Sequence, residues 1–148
     1  MSSRKKYDDP ERKTYRTQLL WPVLIIVVVT VVRMISGGGH SVDTNMDDKR
    51  LGLSVDSNPV IFLSFDEIRS IDLVDEIGAW ELLDGKSDGK YVFGTCNTEY
   101  YGEARICAYL TGSPYIVLTL DREMFIYNLS TAKSTERDFN KLLKTINI

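Results

Sequence analysis

One stretch near the amino terminus constrains this chain more than any other. Residues 19–35 have the sequence LLWPVLIIVVVTVVRMI, with an uninterrupted apolar run from Val23 to Val29. A bilayer core of about 30 Å requires about 17–25 mainly apolar residues in a helix, and this stretch supplies 17 if Arg33 is included. An Arg side chain near a helix end extends to the head groups while its stem stays in the bilayer. The stretch therefore predicts one transmembrane helix.

The predicted membrane anchor consists of Leu19, Leu20, Trp21, Pro22, Val23, Leu24, Ile25, Ile26, Val27, Val28, Val29, Thr30, Val31, Val32, Arg33, Met34 and Ile35. Trp21 lies where interfacial aromatic residues are common, and Pro22 falls in the first helical turn, which tolerates proline. Two alternatives stay open: a buried helix of a globular domain, and the apolar part of a cleaved signal peptide. We favour a retained anchor, because no Ala-x-Ala cleavage pattern follows the apolar run.

Lys and Arg residues are distributed unequally around the predicted anchor. Residues 1–18 carry six of them against three acidic residues, whereas residues 33–52 carry three. Short basic flanks stay preferentially in the cytoplasm. We therefore predict a single-pass protein of the cell membrane, with a cytoplasmic tail at 1–18 and an extracytoplasmic carboxyl-terminal domain.

Residues 36–58, SGGGHSVDTNMDDKRLGLSVDSN, have the composition of a flexible linker. Consecutive glycines are followed by turn-forming Asp, Asn and Ser. Residues 51–55 alternate and predict one weak strand. His40 is the only histidine of the chain, and the sequence shows no partner for metal binding or acid–base chemistry, so we assign it no role.

From residue 59 onward the pattern becomes that of a β protein. Asp84–Gly85 has the composition of a tight turn, and Asp121–Glu123 is a gap of hairpin size. Short segments with strand character occur at 60–63, 68–74, 79–83, 91–93, 104–110, 115–120 and 124–127. Six or seven strands spaced at about 8–12 residues predict a small sandwich or barrel.

The last part of the chain changes to a helical period. Phe139, Leu142, Leu143 and Ile146 are spaced as one face of an amphipathic helix, and Ser134 is a candidate N-cap. The fold class predicted for residues 59–148 is therefore mainly β with a carboxyl-terminal α-helix, which we expect to cover an open end of the β structure.

Several segments of this region resemble the bacterial pleckstrin-homology-like domains found in small membrane proteins. They are FDEIRSIDLVDEI (65–77), DG (84–85), FGTCNTEYYGEARICAYL (93–110) and YIVLTLDREMFIYNLSTAKSTERDFNKLLKTI (115–146). The chain departs from the family in having Leu82–Gly85 where members often have Arg-x-Asn-Gly, and one membrane segment where many have two. The resemblance implies a PH-like fold and a membrane-tethered, non-catalytic binding or scaffolding module.

The charge of the domain narrows the choice of partners. Residues 41–148 contain 18 Asp and Glu against 11 Lys and Arg, a net charge of −7. Phosphate recognition depends on clustered basic residues, so we expect neither nucleic acid nor phosphoinositide binding. Apart from the lipid bilayer around the anchor, the expected partner is another protein.

The two cysteines, Cys96 and Cys107, permit either a disulfide or two free thiols. If residues 97–103 form the loop of a hairpin, Cys96 faces Ala104 and Cys107 faces Phe93. The sulfur atoms are then displaced along the ladder, which disulfide geometry tolerates poorly. We favour two half-buried free thiols.

The sequence offers no candidate catalytic, cofactor-binding or metal-binding residues. It contains no nucleophile motif, no histidine pair and no phosphate-binding glycine loop. We therefore predict a non-enzymatic protein without a cofactor, acting as an interaction, scaffold or accessory module. The alternative is a module that binds lipid or a small ligand at the membrane surface.

Overall fold

The computed structural model describes residues 40–56, 58–112 and 114–146. They form β1 (Val42–Met46), β2 (Arg50–Val55), β3 (Asn58–Ser64), β4 (Ile68–Val74), β5 (Trp80–Ser87), β6 (Tyr91–Thr98), β7 (Gly102–Tyr109), β8 (Tyr115–Leu120), β9 (Met124–Tyr127) and α1 (Ala132–Ile146). The predicted mainly β class with a carboxyl-terminal helix is confirmed. The predicted tail (1–18), membrane anchor (19–35) and first linker residues (36–39) lie outside the described residues. Among those described, no helix has the length and apolar character needed to span a bilayer.

The first three strands form an antiparallel meander in the order β1-β2-β3. This finding corrects the predicted linker, because β1 and β2 occupy most of residues 42–55. The hairpin between them depends on Asp47, whose carboxylate accepts hydrogen bonds from the N–H groups of Lys49 and Arg50. The polar residues taken as linker composition thus form a hairpin turn, and Leu51 and Leu53 are fully buried.

The other six strands form one sheet in the order β4-β8-β9-β7-β6-β5. The predicted hairpin around Asp121–Glu123 is confirmed as the antiparallel pair β8–β9. Strand β9 then pairs in parallel with β7, the one parallel pair among the described strands. No sequence pattern had predicted this pairing.

The predicted turn at Asp84–Gly85 is wrong. Both residues lie inside β5, where Gly85 faces Gly94 of β6 and the register shifts between Leu82 and Asp84. The chain reverses later, at Asp88, whose carboxylate accepts hydrogen bonds from two following N–H groups. The Asp-Gly pair therefore marks an irregularity within a strand.

The six-stranded sheet curls. Its edge strands β4 and β5 are joined only by residues 75–79. A flat sheet of this size separates its edges by about 24 Å, which exceeds the roughly 22 Å that the six steps from Val74 to Trp80 could span at about 3.6 Å per residue. The connection turns at Gly78, where φ is 73°, so the two edges must lie closer together than in a flat sheet.

Two apolar clusters lie on opposite faces of this sheet. The inter-sheet core fills the space between the two sheets and includes Leu51, Leu53, Ile61, Leu63, Ile116, Leu118, Phe125, Tyr127 and Leu142 of α1. The second core includes Val92, Cys96, Ala104, Ile106, Ala108, Val117 and Ile126. The two sets alternate along β8, as side chains on opposite faces of a strand must.

Helix α1 begins with a reciprocal cap. Thr131 Oγ1 accepts a hydrogen bond from the Ser134 N–H, while Ser134 Oγ accepts one from the Thr131 N–H. Ser134 is therefore the third helical residue, and the N-cap role predicted for it belongs to Thr131. The predicted apolar face is borne out at Phe139, Leu142 and Ile146, which pack on the inter-sheet core.

Candidate functional site: a cleft between the two sheets

A cleft of about 610 Å³ opens where the end of the three-stranded sheet meets the β5–β6 hairpin. Its apolar lining comes from Val55, Leu82, Tyr91 and Phe93, and its polar lining from His40, Asp56, Lys86, Ser87 and Asp88, with Gly85 completing the wall. Ligand sites commonly have about 300–1,000 Å³ of volume, mostly apolar walls and a few polar groups that fix orientation. The cleft has this composition and size.

His40 and Asp56 close one side of the cleft. His40 Nδ1 lies 2.7 Å from Asp56 Oδ2, and the Ser41 N–H donates to Asp56 Oδ1 at 2.9 Å. Asp56 adopts φ 52°, a left-handed conformation in which Asp is more common than most residues. The bonds from His40 and Ser41 lower the pKa of the Asp56 carboxyl. His40, to which the sequence assigned no role, thus has a carboxylate partner in the fold.

The position of His40 is also fixed by aromatic contacts. Its ring lies 5.0 Å from the ring of Tyr91, which in turn meets Tyr109 edge-on at 5.7 Å. The Tyr109 hydroxyl donates to the His40 carbonyl and accepts a hydrogen bond from the Val42 N–H. Both the backbone and the ring of His40 are thus held at the mouth of the cleft.

Asp88 supplies a second carboxylate at the rim. Its Oδ1 accepts hydrogen bonds from the N–H groups of Lys90 and Tyr91, at 2.9 and 2.8 Å. These two bonds lower the pKa of Asp88. Hydrogen bonds from N–H groups favour the charged carboxylate, so Asp88 is ionised at physiological pH.

Beneath the cleft, the Tyr91 hydroxyl and Cys107 Sγ lie 3.2 Å apart. Burial raises the pKa of both the Tyr91 phenol and the Cys107 thiol. A reactive cysteine requires a thiolate, which burial in apolar surroundings disfavours. This contact therefore acts as a neutral hydrogen bond that fixes the Tyr91 ring in the cleft wall.

The hairpin register expected for the cysteines is present. Cys96 pairs with Ala104, and Cys107 pairs with Phe93. Both cysteines are free, as expected, but they are fully buried rather than half-buried, with Cys107 in the inter-sheet core and Cys96 in the second core. The thiols thus lie on opposite faces of one sheet, and the alternative of a Cys96–Cys107 disulfide is not formed in this structure.

Thiol reactivity tests this arrangement. We expect Cys96 and Cys107 to react slowly with a thiol reagent in the native chain, because both side chains are buried. Both should react once the chain is denatured without a reductant. Thiols that appear only after reduction would contradict the prediction.

A carboxyl titration tests the His40–Asp56 contact. In the wild-type chain, the Asp56 pKa measured by carbon-detected NMR should lie below its usual 3.8, because His40 and the Ser41 N–H both bond to the carboxylate. In His40→Ala the Asp56 pKa should rise towards 3.8. Asp47 is the control, since its pKa is lowered by the N–H groups of Lys49 and Arg50 and should not change. An unchanged Asp56 pKa in His40→Ala would exclude the contact.

A second charged surface lies on α1. Lys133, Arg137, Lys141 and Lys144 line one exposed face of the helix together with Glu136 and Asn140. These four cations account for more than a third of the 11 Lys and Arg residues in 41–148. The charged residues of the domain are therefore unevenly distributed, with a basic helix on an otherwise acidic domain.

Comparison of the chain with protein-family models, with characterised proteins and with solved structures finds no significant match in any of the three. Within the described part of the chain, no three His, Cys, Asp or Glu side chains cluster as a metal site would require.

Proposed function

We propose that this protein is a single-pass membrane protein whose β domain is a PH-like, non-catalytic module that binds a protein partner as a scaffold or accessory subunit. The cleft between the two sheets is the observation that carries the proposal. It combines an apolar wall with a rim of opposite charges, which is the composition expected of a recognition site. The apolar run at 19–35 supports the membrane anchor.

The chemistry of the cleft favours binding over catalysis. His40 Nδ1 is engaged with Asp56, whose lowered pKa makes it a weak base. The Tyr91 hydroxyl is directed at a buried thiol, and its raised pKa keeps it neutral. These groups hold the wall in place, so the proposal assigns them structural and recognition roles.

The basic tail at 1–18 supports a cytoplasmic amino terminus. The proposal therefore locates the β domain, and its partner, on the extracytoplasmic side. A carboxyl-terminal reporter fusion that is active only on one side of the membrane tests this orientation. Reporter activity on the cytoplasmic side would reverse it.

A second candidate function is the binding of a lipid or small ligand. The volume of the cleft, about 610 Å³, lies within the range of sites for such molecules. The two functions share one site, so one pair of variants tests both.

The experiment compares two tryptophan substitutions in the full chain, purified in mild detergent from its native membrane. Ser87→Trp fills the exposed rim of the cleft, whereas Asn97→Trp adds the same bulk at an exposed position of β6 outside the cleft lining. We expect a stoichiometric protein partner that is retained by Asn97→Trp and lost with Ser87→Trp. A bound lipid or metabolite lost in the same way, detected by mass spectrometry, supports the second candidate. If Ser87→Trp alters neither, the cleft is not the binding site.

A further inference from the structure

Strand β5, which forms one wall of the cleft, is an edge strand. It ends the order β4-β8-β9-β7-β6-β5, and none of the described strands pairs with its outer side. Residues 83–88 are all exposed. The outer N–H and C=O groups of such a strand are a template on which another extended segment can pair.

A bulge in β5 presents an apolar side chain at this edge. Leu82 pairs with Cys96 and Asp84 with Thr95, which leaves Leu83 without a partner in β6. Leu83 is 52% exposed, while the adjacent Leu82 lines the cleft. Edge strands are commonly protected by charged residues, proline or bulges, and β5 has both charges and a bulge. Leu83 nevertheless leaves apolar surface exposed at this edge for contact.

The charges around this edge favour a basic partner. Glu81 and Asp84 lie on β5, and Asp56 and Asp88 lie at the rim of the cleft. Among the residues lining the cleft, Lys86 is the single Lys or Arg. The edge and the rim together therefore carry four carboxylates against Lys86, Lys90 of the β5–β6 turn and His40, and the histidine is already engaged with Asp56. An anionic lipid would meet repulsion here, whereas Lys or Arg side chains would be attracted.

We propose that the partner contributes an extended, basic segment that pairs with β5 as an added strand and inserts a bulky apolar side chain into the cleft. This inference depends on the proposed function and names the chemistry of its partner. Recognition by strand addition obtains affinity from main-chain hydrogen bonds, and specificity from pockets for alternate side chains. Here the free edge of β5 supplies the hydrogen bonds, and the wall of Val55, Leu82 and Phe93 supplies the pocket.

A library of random dodecapeptides displayed on phage provides the probe. The library is panned against the full chain in detergent micelles. We expect the selected peptides to be enriched in Lys, Arg and bulky apolar residues and depleted in proline. Their affinity should fall about tenfold or more for Leu83→Ser and for Asp84→Lys. Selected peptides without a basic excess, or with affinities that do not respond to either substitution, would overturn the proposal.

Two control variants match these changes away from β5. Phe62→Ser removes an exposed apolar side chain, 66% accessible, from the three-stranded sheet. Asp66→Lys changes the net charge equally in the exposed turn before β4. Both should bind the selected peptides as the wild type does. Equal losses in the controls would indicate a general effect of charge or hydrophobicity and would exclude β5 as the docking edge.

Amide hydrogen exchange separates strand addition from filling of the cleft alone. On peptide binding, the β5 amides that point away from β6 should gain protection, because the added strand provides their acceptors. Protection confined to the cleft wall would contradict strand addition. A protein partner lost with Ser87→Trp but unaffected by Leu83→Ser would leave the proposed function standing and make the added strand wrong.

Discussion

Gly94→Ala is expected to destabilise the β domain by at least about 3 kcal/mol. A Cβ atom at this position would lie 2.0 Å from the Asp84 carbonyl oxygen and 2.8 Å from the Gly85 Cα. Both are backbone atoms, so no side-chain rotation can relieve the overlap. The backbone at Gly94 also has φ 148°, which disfavours any L-residue. Exchange rates of the buried amides in β7 and β9 of the full chain measure the loss in free energy of unfolding.

Gly89→Ala is the matched control for this prediction. Gly89 has φ 82°, and nothing lies within 4 Å of a Cβ built there. Gly89→Ala therefore incurs the conformational cost of a positive φ without the steric overlap. We expect this cost to be about 1 kcal/mol. Equal losses for Gly89→Ala and Gly94→Ala would mean that β5 and β6 do not approach as closely as described.

The same glycines explain one failure of prediction from sequence. Asp-Gly is a strong turn pattern because Gly accepts positive φ. In this chain, Gly85 uses that freedom to let β5 pass close to Gly94, which lies nine residues further on. A local pattern cannot distinguish these two uses, because the difference depends on the partner strand.

Elements with complete local patterns were predicted well. The β8–β9 hairpin has apolar strands on both sides of a short charged gap, and α1 has a clear helical period; both lie where expected. Strand β1, VDTNM, has only two apolar residues among its five and follows a glycine run. Its strand conformation depends on pairing with β2, so composition alone indicated a linker.

The candidate site was missed for a related reason. His40 and Asp56 are sixteen residues apart, and each lies among polar residues typical of turns. Their contact depends on the β1–β2–β3 meander, which brings the two ends of the hairpin together. Leu83 likewise looks like an ordinary strand residue until the register of β5 shows that it has no partner. The periodicity of a sequence does not show which residues from separate strands meet in the fold.

Substitution of Asp138 is the second change that we expect to destabilise the β domain strongly. Its carboxylate accepts hydrogen bonds from Thr44 Oγ1 of β1 and from the Tyr127 hydroxyl of β9, both at 2.8 Å. One buried side chain of α1 therefore connects the helix to both sheets. We expect Asp138→Ala to lower the free energy of unfolding by about 2–4 kcal/mol, since it leaves two hydroxyl groups without an acceptor. Exchange of buried amides again provides the measurement, and Glu136→Ala, at an exposed position of α1, is the control.

The pH dependence of stability tests whether folding raises the pKa of the buried Asp138 carboxyl. Burial raises the pKa of Asp138 above its usual 3.8, against the opposing effects of Tyr127, Thr44 and the nearby Lys141. A carboxyl whose pKa is raised by folding stabilises the native state at acid pH, and that contribution is lost as the pH rises through the folded-state pKa. Asn cannot titrate, so the deficit of Asp138→Asn relative to the wild type should shrink as the pH is raised from about 4. A deficit of Asp138→Asn that does not change with pH would mean that folding does not raise the pKa of Asp138. It would limit the role of Asp138 to its hydrogen bonds with the two sheets.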